Sequence, residues 1–302
     1  MKYIILCGFL FLFQSILAQN SFDNFFKPSD TLNQKRQNSV FITEAVLASG
    51  ALIGLNQLWY TDYPKSDFHF INDNSDWLQM DKVGHLFSSY HIGRVGAEAL
   101  NWSGSSKKNQ LIYGASLGFV FLTAVEIMDG FSEEWGASMG DVVANASGTA
   151  LYVSQELIWK EQRIIPKFSY HKTQYSNFRP DVLGSTTEEQ ILKDYNGQTY
   201  WLSTNIYSFS KGSKVPKWLN VALGYGAEGM ISGNDDNFTP ISTPKPEKFR
   251  QFYLSLDVDL SKIKTKSHFL KTIFSVFNTV KIPAPTIEYS PQSGFKFYAF
   301  YF

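Results

Sequence analysis

Three short polar signatures interrupt otherwise apolar, helix-patterned stretches of this 302-residue chain: Asp81-Lys82-x-x-His85, Glu126-x-x-Asp129 and Asp141-x-x-x-Asn145-x-x-Gly148. Ionisable groups in such settings are costly unless they are paired, solvated or used. Spacings of three and four residues put each set on one face of its helix. The helices must therefore turn these faces toward each other or toward water, and this limits how they can be arranged.

Apolar periodicity predicts four helices, at about 41–59, 80–100, 108–128 and 139–160. The first polar set opens the second helix, the second set closes the third, and the third set opens the fourth. Antiparallel packing of consecutive helices, which short connections favour, gathers Asp81, His85, Glu126, Asp129, Asp141 and Asn145 at one end of a bundle. Gly136 and Ser138 fall on the short loop 130–140 beside that end, with Trp135 as a candidate lid or anchor. Small residues at close spacing (Gly50 and Gly54, Gly93 and Gly96, Gly114 and Gly118) let backbones approach, in a membrane bundle or in a tightly packed soluble one. The best apolar span, 111–125, is shorter than the roughly twenty residues that cross a bilayer.

Two chemistries suit the gathered groups. Carboxylates with a neutral imidazole bind divalent cations such as zinc or manganese, and His85, Glu126, Asp129 and Asp141 are the candidate ligands. Alternatively, His85 paired with Asp81 or Glu126 acts as a general base, which makes His85, Glu126 and Asp141 the candidate catalytic residues. Asp81, Lys82, Asp129, Ser138 and Asn145 are candidate binding residues, with Lys82 and Asn145 suited to an anionic group such as a phosphate. A structural reading competes with both. Asp81 caps the second helix, Asp141 sits in a first turn where negative charge is favoured, His85 glues helices through Glu126, and Asn145 bridges backbone groups. The residues alone leave these alternatives open. His69, His91, His171 and His268 stand apart from the set, and no phosphate-binding glycine loop, nucleophile elbow or paired-His zinc motif is present.

The chain opens with one lysine and a mainly apolar run at 3–17, and Ala18 before Gln19 is a plausible cleavage point, so residues 1–18 are expected to be a secretory signal peptide. The sole cysteine, Cys7, lies inside that run rather than at its end, which argues against a lipid-anchoring position. It also leaves the exported chain without disulfides or thiolate metal sites. Residues 19–38 are polar and expected to be a flexible leader. Lys plus Arg balance Asp plus Glu at 27 each, which argues against nucleic acid as a partner.

After residue 165 the period changes from helical to alternating. Capping-box residues at 185–189 and Gly197 bound a short helix. Clean period-two strands are expected at 218–231 and 251–261, weaker ones at 200–209 and 286–289, with a loop at 233–248. The ending on Gly294-Phe-Lys-Phe-Tyr-Ala-Phe-Tyr-Phe302 is similar to the C-terminal strand of outer-membrane β-barrels. However, four or five strands fall short of the eight or so that close a bacterial barrel. The expectation is an open sheet packed on or near the helices and in contact with a membrane. A basic amphipathic helix at 262–281 either lies on anionic lipid or covers the sheet.

In its polar signatures and Trp135-Gly136-Ala137-Ser138 the chain resembles the YfiM-like family of predicted periplasmic lipoproteins, a domain-of-unknown-function family, over about residues 40–160. A weaker likeness is to VanZ-like membrane proteins, which share an Asp-Lys-x-x-His start and a later Asp-x-x-x-Asn-x-x-Gly. Neither resemblance implies a settled chemistry. The missing lipobox cysteine and the strand-rich extension depart from the family pattern. The extension and the Ala-Gln junction suggest a Bacteroidetes-type envelope protein.

Together these observations lead to an α+β expectation: a four-helix bundle over 39–165 followed by an antiparallel, strand-rich region with a short amphipathic helix over 166–302. The expected location is the periplasm or outer membrane of a Gram-negative bacterium, with a lipid or membrane surface as partner. The expected role is binding or acting on a lipid-linked or cell-wall component, with a divalent metal as the candidate cofactor. The alternative is a non-catalytic scaffold whose polar cluster locks the helices.

Overall fold

The computed structural model describes residues 22–61, 63–233 and 246–302. The expected signal peptide at 1–18, with Cys7 and its cleavage point, and most of the loop at 233–248 lie outside the described residues.

The helical part comes first. Helix α1 is Gln34–Leu55, and its N-cap Asn33 accepts from the Arg36 amide. Helix α2 is Met80–Trp102, and α3 is Leu117–Asp129, the last part of a helical run that begins at Lys107 and passes through a π-helical turn at Gln110–Ala115. Helix α4 is Met139–Ile158, capped by Ser138, whose hydroxyl accepts from the Asp141 amide. Helices α2, α3 and α4 pack against one another, and α1 touches α2 more sparsely.

Small residues set the spacing of these helices. A Cβ on Gly118 would lie 2.0 Å from the Ser89 carbonyl oxygen, and one on Gly148 would lie 2.2 Å from that of Leu86. Backbone therefore rests on backbone across α2–α3 and α2–α4. Gly50 and Gly54 on α1 meet nothing within 4 Å. Gln34–Leu55 and Lys107–Asp129 are long and apolar enough to cross a membrane by length and composition, and their most apolar windows are only 6% and 22% buried. The second of these extends beyond the apolar span expected from hydropathy.

The segment expected as a flexible leader carries a helical turn at 22–26 before α1 begins. Phe25 packs on Trp102, and Phe22 and Phe26 pack on Phe269 of helix α6, His268–Phe277.

Beyond the helices, six strands form one antiparallel meander: β3 Ile164–Tyr170, β4 Gln198–Asn205, β5 Leu219–Glu228, β6 Phe249–Val258, β7 Ala284–Ser290 and β8 Gly294–Tyr301. This exceeds the four or five expected, and β3 is the strand that alternation did not show. Helix α5, Thr187–Lys193, precedes β4, and Thr186 caps it.

The polarity of the sheet is inverted relative to a soluble sandwich. The polar face is buried: Lys167, Ser203, Asn220 and Asp257 are closed off from solvent, and Lys167 and Lys281 flank Asp257 at 2.8 and 4.0 Å. The apolar face, with Leu223, Phe252, Leu254 and Ile287, points outward. The sheet curls far enough that the free edge of β3 meets the chain just before β7: the Phe168 amide donates to the Thr279 carbonyl and the Lys281 amide to that of Phe168. The helices dock on the outer face at the β3–β4 side, where Phe87 of α2 packs against Phe168 and Tyr200.

Candidate functional site

The start of α2, the end of α3 and the start of α4 share one end of the helical part, as the antiparallel order requires. Two local devices assemble this end. A two-residue parallel pair, β1 Phe70–Ile71 with β2 Ala137–Ser138, ties the loop before α2 to the loop before α4. Three successive residues before α2, Trp77, Leu78 and Gln79, have φ of 48°, 50° and 65°. A left-handed conformation costs a bulky residue energy, and such strain persists only where the surroundings over-determine it. Here the sheet holds the turn. The Tyr225 hydroxyl donates to the Leu78 carbonyl, Arg250 Nη2 donates to Gln79 Oε1 at 2.7 Å, and the Trp77 amide donates to the Gly233 carbonyl.

Lys82 is the hub of the cluster. Its Nζ lies 2.5 Å from Asp73 Oδ2, 2.9 Å from Asp141 Oδ2 and 3.3 Å from Asp81 Oδ2. His85 sits one turn further along α2. Its Nδ1 lies 3.0 Å from Asn145 Oδ1, which directs Nε2 to Asp81 Oδ1 and Glu126 Oε1, each at 3.7 Å. Asp81 Oδ1 also accepts from the Tyr195 hydroxyl at 2.8 Å. Ser138 joins the loops to the cluster: its hydroxyl donates to Asp73 Oδ1, and its amide donates to Glu126 Oε2. Ser89 donates to the Asn145 carbonyl at 2.6 Å and fixes α4 against α2. One ligand atom each from Asp81, His85 and Asp141 can lie within 4.8 Å of one another.

Burial and charge shift most of these groups. Burial pushes Glu126 up to about 8, against the pull of His85 and the Ser138 amide. Burial and then Asp81 push Asp141 to about 6, against His85 and Lys82. Burial opposes a charged His85, yet Asp81, Asp141 and Glu126 outweigh it and hold the imidazole above its ordinary value. Burial likewise opposes an ionised Asp81, and His85, Lys82 and the Tyr195 hydroxyl overcome it and keep that carboxyl below the usual range. The site thus sets Lys82 among carboxylates, with the raised imidazole of His85 facing the desolvated carboxyl of Glu126. Among the described residues, Asp141 Oδ1 and Asn145 Nδ2 are buried without a hydrogen-bond partner.

Asp81, Lys82, His85, Glu126, Ser138, Asp141 and Asn145 thus lie in one connected set. Asp129 is placed at its margin, where its Oδ1 accepts from the Tyr60 hydroxyl at 2.6 Å, and burial raises its carboxyl to about 6. Trp135 packs edge-on against Tyr60 and Tyr63 on that side. A cleft of about 280 Å3, lined in part by Tyr60, Met128 and Ser132, opens beside the Tyr60–Asp129 pair rather than over His85. Asp73 and Tyr195 also belong to the cluster and were not among the residues picked from sequence. Asp73 lies in the loop between the first two helices, where no helical spacing marks it. Tyr195 is 114 residues from Asp81, and no local pattern marks it. His91 is buried and bonded to the Pro166 carbonyl at 2.7 Å, outside the His85 cluster.

Residues 67–155, the segment that carries β1, β2, helices α2 and α3 and most of α4, match the family described as Predicted periplasmic lipoprotein (DUF2279). This is the family that the polar signatures resembled, and its description agrees with an exported, periplasmic chain. No curated protein and no solved structure matches the chain.

Proposed function

We propose that the Lys82–His85 cluster is a ligand site on a cell-envelope protein and that it binds or acts on a lipid-linked or cell-wall component. In this reading His85 and Glu126 exchange protons with the bound group, and Lys82 and Asn145 hold its anionic part. Asp81 favours the protonated form of the imidazole, and α1 completes a four-helix bundle around the other three helices.

The observation that carries the reading is the pair of orphaned atoms, Asp141 Oδ1 and Asn145 Nδ2. They are an acceptor and a donor on adjacent turns of α4, beside the imidazole. Leaving a buried polar atom unpaired costs about 1–3 kcal/mol. An incoming polar ligand that bonds both atoms recovers that cost.

A second reading has its own support. The donor atoms of Asp81, His85 and Asp141 are close enough to share a divalent cation such as zinc or manganese, which would compete with Lys82 for both carboxylates. The non-catalytic scaffold reading rests on the many mutual ion pairs, which also cluster in structural networks.

Single replacements separate these readings. His85→Gln and Asp141→Asn are expected to abolish complementation of a host lacking this protein, with the melting temperature within about 3 °C of the parent. Parallel loss of folding and rescue would establish the scaffold instead. Titration of the purified chain with zinc or manganese tests the cation reading, and no rise in melting temperature with either metal removes it.

A further inference from the structure

We propose that the convex outer face of the β3–β8 sheet is seated among lipid acyl chains, with an aromatic row at the headgroup boundary, so that the Lys82–His85 cluster stands at headgroup depth. The starting observation is the order of residues across the strands. In register, Phe168, Tyr200, Tyr225, Phe252, Tyr289 and Phe295 form one unbroken aromatic row over all six strands. The adjacent row is Pro166, Leu202, Leu223, Leu254, Ile287 and Phe297, and the next begins Ile164, Thr204, Val221 and Leu256. None of these residues is charged. Rows on one face are two residues apart, about 7 Å, so the three rows cover a depth of about 14 Å, close to one leaflet's share of a roughly 30 Å hydrocarbon core.

An aliphatic band bordered by aromatic side chains over a polar interior is the partition of a lipid-facing sheet, the reverse of a soluble one. Leu223 is 61% exposed and Phe297 70%, while Lys167 and Asp257 on the inner face are shut away from solvent. The helices cover only the β3–β4 end of the rows. The remaining face curves outward, because the sheet rolls until the edge of β3 reaches residues 279–281. A convex, uncharged surface of this kind offers no single plane to a protein partner or to a second copy, whereas fluid acyl chains can follow it.

The aromatic row also locates the polar cluster. Tyr225 in that row bonds to the Leu78 carbonyl, Arg250 bridges Tyr225 and Gln79, and Tyr200 lies over Gly84 of α2. The cluster is therefore fastened to the end of the sheet that the row marks as interfacial. A headgroup or lipid-linked polar group reaches Lys82 and His85 at that depth without leaving the interface. The seating of the sheet stands on the row pattern alone, and only its consequence for substrate access rests on the proposed site.

Depth measurement tests the proposal. In the full chain with Cys7→Ser, an environment-sensitive fluorophore is attached through Leu254→Cys, Phe252→Cys or Lys172→Cys, and phosphatidylcholine vesicles carrying brominated acyl chains are added. The expected result is a blue-shifted, strongly quenched probe at 254, a shallower one at 252 and an unquenched one at 172. Flotation of the Leu223→Arg variant with unbrominated vesicles should fall by about 30-fold, the lower end of the cost of a charge on a lipid-facing strand. Circular dichroism confirms that each variant is folded. A 254 probe unchanged by vesicles overturns the proposal. A 254 probe already blue-shifted in buffer, in a dimer that ignores vesicles, overturns it in favour of self-association. Flotation of His85→Gln reads insertion without reading the site, so failure of the proposed chemistry leaves this result distinguishable.

Discussion

Replacing Gly118 by alanine opposes two effects of different sign within one helix. Helix propensity alone predicts that Gly→Ala in a helix interior stabilises by about 0.5–1 kcal/mol. At position 118 the new Cβ would lie 2.0 Å from the Ser89 carbonyl oxygen, 2.8 Å from its carbon and 2.9 Å from its Cα, all backbone atoms of α2. Contacts below 3.0 Å essentially do not occur, so the helices must part locally by about 1 Å. Overpacking of this kind costs about 1–3 kcal/mol, and a contact with backbone rather than a flexible side chain belongs at the upper end. Subtracting the propensity gain leaves a net loss of about 2 kcal/mol, or roughly 4–8 °C in melting temperature. The same shift disturbs Ser89, which bonds the Asn145 carbonyl and so anchors the helix that carries Asp141. Gly50→Ala is the internal control: nothing lies within 4 Å of that position, and the same substitution should stabilise there by about 0.5–1 kcal/mol. Thermal unfolding of both variants followed by circular dichroism decides the question. A Gly118→Ala variant as stable as Gly50→Ala would refute backbone contact between α2 and α3.

Glu126, raised from 4.5 to about 8, holds in the folded state a proton that the unfolded chain releases, so its contribution lowers stability as pH rises from about 4.5 to about 8. Glu126→Gln should flatten denaturant-measured stability over that window, with a gain of up to about 3 kcal/mol at pH 7; an unchanged slope would show that the carboxyl is not desolvated. Histidine 85, also raised, stabilises at low pH and loses that contribution as pH passes its elevated value, so His85→Gln should flatten the same limb. Lys82→Met strands the carboxylates of Asp73, Asp81 and Asp141 and should cost about 3–5 kcal/mol near neutral pH, with partial recovery in acid as those groups take up protons; urea titration at two pH values measures it. Asp257→Leu leaves the solvent-excluded Lys167 and Lys281 unpaired and should cost a similar amount in urea; a loss under about 1 kcal/mol would mean that water reaches the interior of the sheet.

The helical end of the molecule was readable because its polar residues recur at helical spacing and alternate between helix starts and ends. Antiparallel order then brings Asp81, His85, Glu126 and Asp141 together. Strand β3 was not readable in the same way. It contains Pro166 and Lys167, a residue that demotes a strand and a charge that breaks an apolar run. Here the proline starts the aliphatic row while its carbonyl binds His91, and the lysine enters the buried Asp257 pair. Alternation in β5 and β6 identified two faces but not which one is buried, since period two is the same for an inward-polar and an inward-apolar sheet. The left-handed turn at Trp77–Gln79 was also hidden, because bulky residues take that conformation only under tertiary contacts such as those from Tyr225 and Arg250. Asp73 and Tyr195 enter the cluster through the β1–β2 tie and the docking of the sheet, which no local spacing encodes.

The bond from Tyr195 to Asp81 also has a bearing on timing. Closing a contact across 114 residues is slow and comes after local helix packing. In a chain threaded unfolded across a membrane from its N-terminus, the helices emerge while the strands are still in transit. Until the sheet arrives, Asp81 lacks its phenol partner and the turn ahead of α2 lacks the arginine and tyrosine that hold it in place. The polar cluster is thus complete only once the strand-rich part is in place, and a chain that stops short of Tyr195 leaves Asp81 without its phenol donor.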